Sequence, residues 1–358
     1  MFFKKDDKKQ VLNVIESDYK PLFNTYEKAV ADFWTLKVLN FDEDKKKWLN
    51  IDKDIQDLFL LNNAYQMKTD SEVTNIYSLL SIVANGSIDL TLNYTYTASM
   101  EAIHALSYSY GLEKMFGSKA REILDLVYID ERILNRLKLE ENLEEELKKI
   151  VGKFLLNEPI TDYFYETLFK NIISTYIIEE VKFPYSFLVT WRINEGTNSS
   201  LQGFTQLIKR IAKDELESHT TIHKNTFSYI NKKGGKLKRI FENVKNEFAK
   251  DYINKIYEDE LMWIDYQFKD KEYEFINKKL AKSFIRYRID VVYNTLFKEK
   301  LFNEPKNDII QWYDDYRKLE KENASQQEQK STIYNKGSIK DDLQEKLAFN
   351  KKITLKPF

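Results

Sequence analysis

The chain has no cysteine among its 358 residues. That excludes disulfides, thiolate metal sites and thiol nucleophiles together, and any metal must be held by oxygen and nitrogen. Glycine and proline are scarce, at nine and five. With so few breakers the ordered segments are long, and long helices are the economical reading. Charge of one sign is also missing. Lys plus Arg number 56 against 57 Asp plus Glu, so no global field points to nucleic acid or to an anionic membrane surface. No run approaches the roughly 20 apolar residues of a membrane helix, and the charged start MFFKKDDKKQ is unlike a signal peptide, which predicts a soluble, cytoplasmic protein.

Apolar positions recur every three to four residues through 19–39, 54–80, 86–116, 121–150, 160–193, 201–230, 236–268 and 273–298, an all-α pattern. Breakers such as NGS at 85–87, NEP at 157–159, NEGTNSS at 194–200 and KKGG at 232–235 separate the segments. No repeat of 20–50 residues is evident. The charged run EENLEEELKK (140–149) reads as a solvated helix face. From about Lys318 the composition turns polar, with apolar residues isolated near the end, so the expected organisation is a helical domain over 1–317 and a mobile tail over 318–358.

Within the helical segments, carboxylates stand where a core needs apolar groups. Glu101, His104 and Tyr108 in MEAIHALSY share one helix face over two turns. On its own a Glu three residues before a His is as readily a surface pair or a satisfied core histidine, and Tyr108 is one of 23 tyrosines. Further carboxylates interrupt three other segments at Asp70, Glu179 and Glu215. Four-helix bundles that bind two metals through carboxylates use such a supply: one carboxylate from each of two helices, and a carboxylate with a nearby His from each of the others. In the last segment residue 218 is Ser218 and the imidazole comes at His219, four after Glu215, with His223 one turn further as the alternative.

These motifs resemble the radical-generating small (β) subunit of class I ribonucleotide reductase over nearly the whole chain. The matching pieces, in order, are Phe33–Trp34, the dipeptide Tyr65–Gln66 before Asp70, SMEAIHALSY, IIEEVKFPYSF, IAKDE, DELMWIDYQFKD and TIYNKG. The resemblance implies a ferritin-like helical bundle with additional helices. It implies two metal ions per chain, iron or manganese, on Asp70, Glu101, His104, Glu179, Glu215 and His219. Tyr108 becomes the radical tyrosine, Phe183 and Phe187 its apolar pocket, and Trp34 with Asp214 the route toward Tyr334 on the tail. The implied partners are a second copy of the chain, a large catalytic subunit that performs the thiol chemistry, and a flavoprotein activator if the oxidant is superoxide rather than dioxygen. The family's histidine three after the last glutamate is Ser218 here, so the sixth ligand is where this sequence departs. Glu180 stands where the family has a small residue; its extra carboxylate has no evident role and would face solvent or lie just outside the ligands. Trp48, Trp191, Trp263 and Trp312 read as core or dimer-interface residues. Two other readings remain open at this point: a dimetal oxidase acting on its own bound substrate, and a metal-free helical interaction protein.

Overall fold

In the computed structural model, residues 11–84 and 86–318 are described, and they divide into a compact unit that ends at Tyr313 and a second that begins at Asp314, of which residues 314–318 are described. The expected tail and Tyr334 lie outside the described residues. The described part is helical, without a strand; one isolated bridge pairs Tyr273 with Ile276. In order the helices are α1 (Lys20–Ala31), α2 (Asp42–Lys47), α3 (Lys53–Val83), α4 (Ile88–Phe116), α5 (Ala120–Ile129), α6 (Glu131–Arg136), α7 (Lys138–Leu155), α8 (Asp162–Ile177), α9 (Phe183–Gly196), α10 (Gln202–Lys213), α11 (Thr220–Lys233), α12 (Gly235–Val244), α13 (Lys250–Phe268), α14 (Lys278–Phe297) and α15 (Asp308–Lys318).

The three longest expected segments after residue 155 are continuous, but each contains a wide π turn: Ile178–Lys182 between α8 and α9, Asp214–His219 between α10 and α11, and Lys245–Ala249 between α12 and α13. The first has a cause in the sequence. Pro184 lacks the N–H that would bond the carbonyl of Glu180, and its ring crowds that carbonyl. The turn widens, and Arg288 Nε donates to the freed Glu180 oxygen at 2.6 Å. The expected helix 121–150 is instead three pieces, because the Asp130 carboxylate accepts from the backbone of Arg132 (2.9 Å) and Ile133 (3.1 Å) and starts a new helix there. The first expected segment stops early as well, α1 ending at Ala31 and the chain turning inward at Trp34.

α3 and α4 run side by side as the longest pair and carry Asp70, Glu101, His104 and Tyr108; the π turns between α8 and α9 and between α10 and α11 face them. Buried Asp44 fixes the start of α10 by accepting from the backbone of Gly203 at 2.7 Å and Phe204 at 2.9 Å. The close approach needs glycine at 203, where a Cβ would stand 2.3 Å from the Asn40 carbonyl oxygen. The run 140–149 is not wholly solvated: Glu140 is buried and takes the Lys182 ammonium at 2.8 Å. Beside it Arg136 is gripped by Glu260 through two 2.6 Å contacts and lies over the rings of Tyr65 and Trp263. Two more tryptophans pack as core groups, Trp48 against Phe59 and Phe116 and Trp191 against Phe187 and Tyr313, while Trp312 is only half-buried and lies under Arg192.

Candidate metal centre

Two overlapping groups of ligand atoms form in the interior. Asp70, Glu101 and His104 make one, Glu101, Glu179, Glu215 and His219 the other, and within each the atoms lie inside 4.8 Å of one another. Glu101 belongs to both, which places it between two positions. All six side chains are essentially excluded from solvent.

The π turn at Asp214–His219 accounts for the displaced histidine. It holds one more residue per turn than an α-helix, so the residue four after Glu215 takes the angular place that the residue three after would have in a regular helix. His219 therefore points back at the carboxylates, with Nδ1 at 2.6 Å from Glu215 and 3.0 Å from Glu101. His223, the alternative, stands outside both groups; its Nε2 lies 2.8 Å from the hydroxyl of Tyr77. On the other side His104 Nδ1 is 3.0 Å from Glu215 and 3.3 Å from Glu101. Its Nε2 meets Asp214 Oδ2 at 3.0 Å, and the same oxygen accepts the indole N–H of Trp34 at 2.7 Å. The Trp34 and His104 rings are stacked, 14° from parallel with centroids 5.8 Å apart.

A donor set of this kind is costly without cations. Both oxygens of Asp70 and Oε2 of Glu179 make no hydrogen bond, the Glu101 oxygens meet the Nδ1 atoms of His104 and His219, and buried carboxylates so sparsely paired are among the most expensive groups a core can hold. Burial together with the charge of Glu101 pushes the Asp70 carboxyl well above its usual range, and burial with Glu215 does the same to Glu179. Glu215 goes the other way: burial would raise it, but protonated His219 and its hydrogen-bonding neighbours hold it well below. Against burial, Asp214, Glu101 and Glu215 raise His104 far above its normal value, and Glu215 and Glu101 lift His219 to about 10. The cluster thus keeps imidazole protons in place of positive metal charge. Carboxylate and imidazole donors around two adjacent positions fit a pair of divalent cations such as iron or manganese.

The sign of the pH dependence follows. At neutral pH both imidazoles hold a proton that a cation at Nδ1 must displace, so each cation releases at least one proton and binds more tightly as pH rises. We expect the affinity of each position for Mn²⁺ to increase at least about tenfold per pH unit below pH 8. Calorimetric titration in buffers of different ionisation enthalpy reads the proton count directly, and a flat profile would refute this protonation scheme.

Tyr108 lies one turn past His104, fully buried, with a hydroxyl that makes no hydrogen bond; burial and then the charge of Asp70 raise its pKa well above normal. Phe183 and Phe187 are buried and stacked in parallel at 5.9 Å, directly after the π turn that carries Glu179. Glu180 points elsewhere, accepting from Lys224 at 2.6 Å and pairing with Arg288. Sequence reasoning missed Tyr77, whose hydroxyl donates to Glu179 at 2.9 Å. A signal was available, since Tyr77 falls two helical turns after Asp70 and so shares its face.

The family described as "Ribonucleotide reductase, small chain" matches residues 11–308. Among curated proteins, the ribonucleoside-diphosphate reductase subunit beta of Treponema pallidum is 27% identical over 330 residues, covering 89% of this chain and 86% of that protein. The corresponding subunit of Haemophilus influenzae is 23% identical, covering 78% and 77%. Among solved structures, the ribonucleotide reductase R2 subunit from Clostridium botulinum superimposes with a TM-score of 0.74 at 19% identity, over 88% of this chain and 98% of that one. The dimanganese(II)-NrdF of Streptococcus sanguinis gives 0.65 at 17%, over 85% and 99%.

Proposed function

The chain belongs to the ribonucleotide reductase small-chain family, and from that membership we propose how its own residues divide the work of a class I β subunit. The fold is the ferritin-like bundle of that family, and the function is that of the subunit that generates and stores a radical for the reduction of ribonucleotides. Family members act with a large catalytic subunit and are in general homodimers. The match favours this reading over an oxidase with its own bound substrate, and the buried ligand groups argue against a metal-free interaction protein.

Asp70, Glu101, His104, Glu179, Glu215 and His219 would hold two metal ions, iron or manganese. When bound, the pair supplies the oxidising power needed to take one electron from a phenol. Tyr108 is that phenol: its ring is dry, its hydroxyl is unbonded, and Asp70 is the chief charged group facing it. Phe183 and Phe187 belong to the apolar wall that keeps water from a stored radical, a role their burial supports. Asp214 joins Trp34 to His104 through a single oxygen and so connects the interior to the edge of the unit. Tyr334 and the tail over 318–358 complete the route to the large subunit in this proposal, within a cytoplasmic protein. A flavoprotein that delivers superoxide is the activator we assign if manganese is the native metal.

The observation that carries the proposal is the pair of buried ligand groups sharing Glu101, with the far nitrogen of His104 tied through Asp214 to Trp34. It is tested by loading the chain with iron and with manganese, counting metal, recording electron paramagnetic resonance spectra, and assaying deoxyribonucleotide formation with the large subunit. Two metals per chain, an organic radical and turnover are expected with at least one metal. Fewer than two metals per chain with both iron and manganese, or turnover without the large subunit, would overturn it.

A further inference from the structure

Tyr77 lies in the core of α3 with no solvent exposure, and its hydroxyl has two partners: Glu179 Oε1 at 2.9 Å and His223 Nε2 at 2.8 Å. A phenol has one proton to donate and a carboxylate can only accept. With Glu179 ionised, Tyr77 gives its proton to Oε1, and its own oxygen accepts the Nε2–H of a neutral His223. That tautomer leaves a bare lone pair on His223 Nδ1, and this atom has no partner. Burial above all pushes the pKa of this imidazole down, to about 3, which favours the neutral ring. Its ring is fixed by Tyr77, Tyr176 and Phe227 at centroid distances of 5.9, 6.0 and 6.5 Å.

This arrangement treats the two oxygens of Glu179 differently. Oε1 is taken by Tyr77, while Oε2 makes no hydrogen bond. A glutamate has rotatable bonds enough to turn out of a ligand group, and the Tyr77 hydroxyl is what ties this one. We propose that Tyr77 and His223 form a positioning pair that holds Glu179 by Oε1, the oxygen that also stands 3.8 Å from His219 Nδ1, and so keeps this carboxylate at the cation position shared with Glu215 and His219. The inference rests on the dimetal reading above but concerns residues that reading does not use. It also gives a reason for His223, a histidine one turn past a ligand that binds no metal itself: it orients the phenol that orients the carboxylate, as outer partners commonly do around metal sites.

Manganous ion is the probe, with the full chain titrated and followed by electron paramagnetic resonance and isothermal calorimetry, and the metal-free forms checked by thermal unfolding. In the wild type two ions bind and couple magnetically. Tyr77→Phe keeps the ring and removes the hydroxyl; it should weaken the second ion by about 10–100-fold, leave the first unchanged, and give an isolated-ion spectrum at loadings where the wild type shows a coupled pair. His223→Leu should act in the same direction. His223→Gln, whose amide nitrogen can stand where Nε2 stood, should recover most of the loss. A merely structural role would move the unfolding temperature and not separate the two ions. Wild-type affinity for both ions in Tyr77→Phe overturns the inference. If that variant fails to fold, equal affinities in His223→Leu and His223→Gln overturn it instead. A wild type that binds no second ion defeats the dimetal reading itself, a distinguishable result, and this inference with it.

Discussion

Tyr108→Phe is expected to abolish the organic radical and the turnover that depends on it while leaving two metals bound per chain. The substitution removes one oxygen that makes no hydrogen bond in a fully buried site. Losing an unsatisfied buried hydroxyl costs little or even stabilises, so the unfolding temperature should hold and the loss can be read as chemistry. A benzene ring lacks the ionisable O–H that lets a phenol give up an electron and a proton together. Tyr108 is also placed for the role by its helix, one turn beyond His104 and facing Asp70. Electron paramagnetic resonance with metal analysis reads both halves of the prediction. If the same organic signal persists at wild-type yield, the radical belongs to another phenol, and Tyr77, hydrogen-bonded to Glu179, is the first to examine.

The buried cluster was legible in the sequence because burying charge is so costly that a carboxylate within apolar periodicity marks itself. Asp70, Glu101 and Glu179 needed only a helical reading to be placed on inward faces, and all three converge. The histidine expected as the sixth ligand was less plain. Spacing alone counts residues as though every turn were α, and a π turn shifts that count by one without changing the apolar pattern; His219 is reached only through the widened turn at Asp214–His219. The turn at Ile178–Lys182 could have been suspected from Pro184, but which group would satisfy the Glu180 carbonyl could not, since Arg288 is over 100 residues away. The same holds for Glu140, which read as part of a solvated face and is neutralised by Lys182 from another helix. Tyr77 escaped notice because a tyrosine in a core helix is ordinary, and only its partner makes it more than packing.

The π turns also bear on how the site is built. Two of the three contribute to the candidate ligand groups, Glu179 from one and Glu215 with His219 from the other, and these face α3 and α4, which are regular helices. A wide turn sets adjacent side chains at angles an α-helix does not offer. That lets Glu215 approach His104 Nδ1 and His219 Nδ1 at 3.0 and 2.6 Å with one carboxylate, while its neighbour Asp214 reaches round to the far nitrogen of His104. Consecutive residues thus serve opposite edges of one imidazole.

Trp34→Phe should separate radical storage from radical delivery. The indole is almost fully buried, next to exposed Phe33, so it sits where the interior meets the edge of the unit. Its N–H donates to Asp214 Oδ2 at 2.7 Å, and its ring lies stacked on His104. A phenyl ring preserves the stacking area and loses both the hydrogen bond and the readily oxidised indole. Asp214 still holds His104, so metal content and the organic radical should stay near wild type, while turnover with the large subunit falls at least about a hundredfold, roughly 2.7 kcal/mol on the barrier. Asp214→Asn should differ in kind. It removes the negative charge behind His104, making Nδ1 a poorer ligand, so it should lower metal affinity by about 10–100-fold as well as turnover. Metal titration and single-turnover assays on the two variants tell the cases apart. Wild-type turnover in Trp34→Phe would show that the oxidising equivalent leaves by another route, whereas loss of the stored radical in that variant would show that Trp34 acts in forming the radical rather than in passing it on.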